Sequence, residues 1–254
     1  MRVLRIASLL ALAFTAAASD FNWKGHIAPG QEIEIKGING FVHAERASGD
    51  EVQVSATKSG RHNDPNSVDI QVVPHGEGVT ICAVYPSSGG RPNECLAGDG
   101  GRMNTHNNDV KVEFTVRVPQ GVRFVGRSVN GDVEADSLAA DTEVHTVNGK
   151  VRVSTSGAAQ AHTVNGSITA SMGAKGWSRP LEFHTVNGSI SVELPAAASA
   201  KVEASTVNGR ISTDFPLTIR GGFSGHHITG TIGSGGPELS LETVNGSIEL
   251  RRGT

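Results

Sequence analysis

The sequence is poor in the residues that build most metal centres, aromatic pockets and membrane spans. Its 254 residues hold two Cys, two Trp, one Tyr and three Met, and aromatics make up 4%. Two thiols are too few for a cysteine-built zinc site, and no cofactor or metal set is indicated. Charged residues are a modest 19% with a net charge of −3, falling by two to −5 if a leader carrying Arg2 and Arg5 is removed. With no basic excess to neutralise phosphates, a nucleic-acid partner is excluded. Beyond residue 18 no segment approaches 18 consecutive apolar residues, so no membrane span is expected in the mature chain. There is no GxSxG, HExxH or P-loop motif.

Glycine, by contrast, is abundant, at 32 residues, nearly twice the usual share of roughly 7%. Val and Ile are spread along the whole length, which argues against disorder. A glycine-rich, valine-rich, aromatic-poor chain reads as many short strands joined by tight turns.

Residues 1–18, MRVLRIASLLALAFTAAA, have the three parts of a secretory signal peptide. Arg2 and Arg5 form the positive region, Ile6 to Phe14 the apolar region, and Ala16 to Ala18 the cleavage pattern. The apolar stretch is shorter than the ~20 residues that span a bilayer, and no cysteine stands at the cleavage point for a lipid anchor. The chain is thus expected in the periplasm, at the cell surface or secreted. In such an oxidising compartment Cys82 and Cys95 can pair, closing a loop worth about 2–3 kcal/mol; two unpaired thiols are the alternative.

A repeat organises the chain. TVNG begins at Thr146, Thr163, Thr185, Thr206 and Thr243, SVNG at Ser128, GING at Gly37, and a degraded HITG at His227. The asparagines are Asn39, Asn130, Asn148, Asn165, Asn187, Asn208 and Asn245, with Thr229 in the degraded slot. From Asn130 the steps are 18, 17, 22, 21, 21 and 16 residues. Glycine follows each asparagine: Gly40, Gly131, Gly149, Gly166, Gly188, Gly209 and Gly246. The residue before the asparagine and the residue three after it are always Val or Ile, which favours strand over helix. Each copy therefore reads as two short strands meeting at Asn-Gly.

One Asn-Gly would predict a hairpin. Seven or eight copies near a 20-residue period predict an all-β, single-chain β-solenoid with coils of about 16–22 residues. Stacked asparagines would pass amide hydrogen bonds from coil to coil, and the glycines would supply a positive φ at the corner. Two phases fit the inner face. In one, Thr and Asn point in and the Val column points out; in the other, Val is core. Strand parity from Leu181 through Phe183 to Thr185 favours the first.

Residues 19–120 read as an irregular β section, probing the same pattern in EIEI, EVQV, VDIQV and VKVEFTVRVP, with a long Gly/Asn/Asp-rich loop from Pro86 to Asn108. Residues 121–254 carry the solenoid repeats, continuous with that section. The charged end Glu249-Leu250-Arg251-Arg252 is expected to guard an open sheet edge.

These strands, of the form V-x-T-x-N-G-x-I-x-V and led in by Phe114-Thr115-Val116-Arg117-Val118-Pro119, resemble the DUF4097 family of exported, adhesin-like bacterial proteins. The resemblance covers about residues 33–250. It implies a β-helix-like fold and a cell-envelope location, and it brings no catalytic residues.

Three before the asparagine stand Arg127, His145, His162, His184, Ser205, His226 and Glu242. Three stacked histidines form a possible surface column for metal or pH sensing; an ordinary solvated column is the bland reading. Carboxylates do not gather across neighbouring coils as glycoside hydrolysis requires, and Asp132 and Glu134 read as solvated. The Gly98–Asp109 loop offers oxygen ligands without calcium-loop spacing. Trp23 and Trp177 read as packing, with an exposed contact in the 175–180 insertion as the alternative for Trp177. The expected function is a non-catalytic exported envelope or surface protein whose repetitive face binds an envelope component, glycan or protein. The alternatives are a secreted carbohydrate-active enzyme and a structural envelope-stress protein without a specific ligand.

Overall fold

The structure, a computed structural model, describes residues 21–174, 176–219 and 226–253. The leader expected at 1–18 lies outside the described residues. The chain is all-β: apart from a 3-10 turn at Pro65–Ser67, the regular elements of the described residues are strands, gathered in two large mixed sheets. Among the described residues no helix is long and apolar enough to cross a membrane.

Asn-Gly does not close hairpins here. The strands on its two sides belong to different sheets. Seven such units, named below as rungs by their asparagine, each give one strand to each sheet. In the first sheet Val42–Arg46, Val133–Leu138, Val151–Thr155, Ile168–Met172, Ile190–Leu194, Ile248–Arg252 and Ile211–Thr213 pair in parallel in that order. In the second, the partners are Glu32–Lys36, Arg123–Arg127, Thr142–His145, Ala159–His162, Leu181–Asn187, Glu238–Asn245 and Ala200–Asn208.

The rungs do not follow sequence order. The Asn245 rung, last in the chain, sits between the Asn187 and Asn208 rungs. Ile248–Arg252 therefore pairs on both sides, and the charges at Glu249, Arg251 and Arg252 do not guard an open edge as expected. The degraded HITG copy is also corrected. His227–Ile232 pairs antiparallel with Ala200–Asn208, and Thr229 lies opposite Glu203 rather than in the asparagine column. Without Asn, this segment extends the second sheet as an antiparallel strand, with Thr218–Ile219 paired on its far side, instead of turning a corner.

Beyond the Asn39 rung, Gly78–Val84 and Lys111–Val118 add one more parallel strand to each sheet. Here residues 85–110 replace the tight corner. Antiparallel strands Asp69–His75, Glu51–Ser59 and Phe21–His26 then close that end. Both parts of the chain thus share the same two sheets.

Period-two burial drives the assembly. Val42, Val133, Val151, Ile168, Ile190 and Ile248 stack in one inner column. Ile35, Val144, Ala161, Phe183 and Leu241 line the facing one, and all join a single hydrophobic cluster. Burying each Val or Ile contributes about 1.5–3 kcal/mol. Trp23 and Trp177 pack half-buried on its margin, as expected of packing residues.

Candidate functional site

Each letter of T-V-N-G has its own task at the corner. The threonines are buried, at 5% exposure or less for Thr146, Thr163, Thr185, Thr206 and Thr243. Their hydroxyls donate to the glycine carbonyl of the adjacent rung: Thr146 to Gly131 at 3.0 Å, Thr163 to Gly149 at 3.0 Å, Thr185 to Gly166 at 2.8 Å. Thr243 and Thr206 do the same to Gly188 and Gly246. A valine of the same shape could fill the space but could not make this bond.

The asparagine side chains form one unbroken line. Asn130 donates to Asn39 at 2.9 Å, and Asn148 to Asn130, Asn165 to Asn148, Asn187 to Asn165, Asn245 to Asn187 and Asn208 to Asn245 at 2.8 Å each. Asn39 ends the line on the carbonyl of Asn108. These amides run along the surface. The expectation that they point inward with threonine is therefore corrected: the chain turns at the asparagine itself, so its side chain leaves the inner face.

The glycines are also there for a different reason than expected. Of the glycines after the seven asparagines, only Gly40 has a positive φ, 116°. The constraint is contact. A Cβ on Gly166 would lie 1.8 Å from the Gly149 carbonyl oxygen, and on Gly149 2.0 Å from that of Gly131. Gly131, Gly188, Gly209 and Gly246 meet the next rung equally closely. Only glycine lets backbones stack at this corner at strand spacing, about 4.8 Å.

With Thr inward, the intervening valines face outward. Val129, Val147 and Val164 are each 39% exposed and Val207 64%. With the half-buried Ile38, Val186 and Val244, they form an apolar stripe beside the amide line. The stripe ends at a cavity of about 640 Å³ under the 94–108 loop. Leu96 and Met103, both exposed, Ile38 and Val129 give it apolar walls; Asn39, Asn130, Arg102 and Arg127 give it polar ones.

Sequence reading missed what anchors that loop. Glu34, a charged residue in the alternating EIEI strand, has a side chain only 1% exposed. Its carboxylate accepts from Arg127 Nε and Thr80 Oγ1 at 2.8 Å and from the Gly98 amide at 2.9 Å. Lys36 Nζ donates to the carbonyls of Leu96, Gly98 and Gly100, and its burial holds its pKa below the usual lysine value. The Cys82–Cys95 disulfide joins the same loop to the sheet. Asp99 pairs with Arg127 at 3.1 Å, whereas Asp109 accepts from the amides of Arg61, His62 and Asn63. The loop's acids do not converge.

The column Lys36, Arg127, His145, His162, His184 and Glu242 continues across the outer face of the second sheet. His145 and His162 stack with centroids 4.9 Å apart and planes 4° from parallel; His162 and His184 are 6.3 Å apart and tilted by 37°. His145 Nε2 lies 2.8 Å from Glu143 Oε1. That hydrogen bond, aided by the charges of His145 and Arg127 against the effect of burial, lowers the Glu143 pKa to about 2. His162 is pushed below the usual histidine value, first by burial and then by His145 beside it. Ser205 follows Glu242 in the column, while His226 precedes the strand opposite Ser205 and is not in it.

A family model described as Toastrack DUF4097 matches residues 93–251. Among solved structures, the chain is similar to a candidate cell adhesion protein of Clostridium sporogenes, at 9% identity and a TM-score of 0.45, over 92% of this chain and 99% of that one. It is also similar to a candidate adhesin of Bacteroides fragilis, at 11% identity and a TM-score of 0.34, over 91% of this chain and 96% of that one. No curated protein matches it.

Proposed function

The chain belongs to the Toastrack DUF4097 family, and on that premise we propose that it is an exported, non-catalytic envelope or surface protein that binds through the repetitive corner of a β-solenoid. The solenoid reading rests on the parallel pairing of equivalent strands from seven rungs. The observation that carries the binding reading is the exposed stripe of Val129, Val147, Val164 and Val207. Contiguous apolar surface of this kind marks interaction sites. The amide line beside it holds its contacts at a fixed repeat, so a polymer or an extended surface can meet many weak, equivalent contacts. An envelope component, a glycan and a protein surface all fit that description.

Export is supported by the leader-like residues 1–18 and by the pairing of both cysteines. The non-catalytic reading is supported by how the half-buried and buried acids are used. Glu34 is saturated by donors, and Glu143 is tied to His145 and Arg127.

The test is co-sedimentation of the purified protein with envelope fractions of its source cell. Saturable retention is expected. Retention that rises linearly with protein concentration, or none, overturns the reading.

A further inference from the structure

We propose that His43, Glu134 and Asp136 form a surface site for a divalent transition-metal ion, Zn²⁺ being the best match. The three lie on the outer face of the first sheet, in the strands that follow Asn39 and Asn130. His43 is directly opposite Glu134 in the parallel pairing, and Asp136 is opposite Glu45. His43 Nδ1 is 3.8 Å from a carboxylate oxygen of Glu134 and 3.8 Å from one of Asp136. One ligand atom from each residue lies within 4.8 Å of the other two. A point equidistant from three such atoms is at most about 2.8 Å from each, so small rotamer changes bring them to the ~2.0–2.2 Å of zinc–nitrogen and zinc–oxygen bonds.

The chain is shaped to keep these groups together. Val153 pairs with Ala135 and Thr155 with Leu138, so Asp136 and Ser137 both stand against Ser154. Ser137 absorbs the extra residue with φ at 53°, a conformation uncommon outside glycine. Strict alternation would send Leu138 outward after Asp136. The bulge returns Leu138 to the core, at 2% exposure, while Asp136 stays on the same face as Glu134. Bulges commonly re-aim side chains next to functional sites.

The surrounding charges leave the site open. Arg117 is taken by Glu45 at 2.8 Å. Arg152 lies 3.8 Å from Glu134 Oε1, the oxygen that does not face His43. Asp136 makes its ion pair with His43 among the described residues. One imidazole and two carboxylates offer two negative charges to a dication. The nitrogen donor favours a borderline ion over Ca²⁺ or Mg²⁺, which take oxygen sets. Three protein ligands on an exposed face leave positions for water or an acidic group of a partner. Glu134, read from sequence as merely solvated, is thus half-buried and engaged.

The experiment is isothermal titration of Zn²⁺ into tag-free, metal-stripped protein at pH 7.5. One equivalent is expected to bind at this site. Losing an outer-shell partner typically costs about 10–100-fold in metal affinity, so His43→Gln and Asp136→Asn should each weaken binding at least about tenfold. His162→Gln, in the stacked column on the other sheet, should leave it unchanged. Circular dichroism of the variants checks that the fold is kept; both positions face outward and the Asp→Asn change is isosteric. No binding to the parent protein, or binding that survives both substitutions in a folded double variant, overturns the proposal.

Discussion

Replacing Gly166 by Ala tests the physical reading of the corner. The new Cβ would sit 1.8 Å from the Gly149 carbonyl oxygen and 2.5 Å from its carbon, where ordinary contact begins near 3.4 Å. Backbone, not a flexible side chain, is in the way, so the two rungs must part locally by about 1.5 Å. Three bonds cross that gap: Thr163 Oγ1 to the Gly149 carbonyl, the Gly149 amide to the Asn165 carbonyl, and Asn165 to Asn148. At about 1 kcal/mol each, with about 1–3 kcal/mol of overpacking strain, the expected loss is about 4–6 kcal/mol. Equilibrium urea unfolding followed by far-UV circular dichroism measures it. Gly49→Ala, where nothing lies within 4 Å of the new atom, should change stability by less than about 0.5 kcal/mol. Gly166→Asn separates the two reasons for glycine. Asparagine tolerates a left-handed backbone but has a Cβ, so it should be as damaging as alanine. An asparagine variant near parental stability would refute the close-contact argument.

Further outcomes follow from the same geometry. Asn165→Ala interrupts the amide line and leaves Asn148 and Asn187 each short of one partner; because these groups reach water, the loss should be only about 0.5–1.5 kcal/mol in the same unfolding assay. Cys82→Ala with Cys95→Ala removes a link spanning 13 residues and should cost about 2–3 kcal/mol, with limited proteolysis cutting first in the 85–110 loop. Because the folded His162 pKa is depressed, the unfolded chain binds the extra proton first as pH falls. This contribution to stability is complete above the unfolded value of about 6.5 and is lost below it; urea midpoints at pH 7.5 and 5.5 should therefore converge in His162→Gln. Glu143 is held at about 2, so its contribution is present above about pH 4.5 and lost as pH falls toward 2; Glu143→Gln should flatten the acid limb of the stability curve.

The repeat made much of this architecture legible. Val and Ile on both sides of Asn-Gly announced strands, and Leu181-Phe183-Thr185 parity placed threonine inside and valine outside. The amide line followed from like residues lying above one another. What sequence could not carry was spatial order. Nothing local distinguishes the Asn245 copy from its neighbours, so its insertion between the Asn187 and Asn208 rungs is set by which strands are left to pair. Glycine was assigned a torsional role because that is its usual one; the carbonyl it must avoid belongs to a rung 17 residues away in sequence, as for Gly149 and Gly166. The role of Glu34 was not legible because alternation reports only which side of a strand a residue is on. A loop 64 residues later covers that side. The His43–Glu134–Asp136 group was hidden for the same reason: its members meet only through a pairing across 91 residues.

The stripe is the core of the functional account, and one comparison tests it most directly. Val129, Val147 and Val164 all point to solvent, so replacing all three by Asp alters the face without opening the core. Parent and variant, matched in circular dichroism and urea midpoint, would be titrated against envelope fractions in a co-sedimentation assay. The account predicts saturable retention of the parent and at least about a tenfold weaker affinity for the variant, the scale of one lost anchor contact. Equal retention of the two would contradict it.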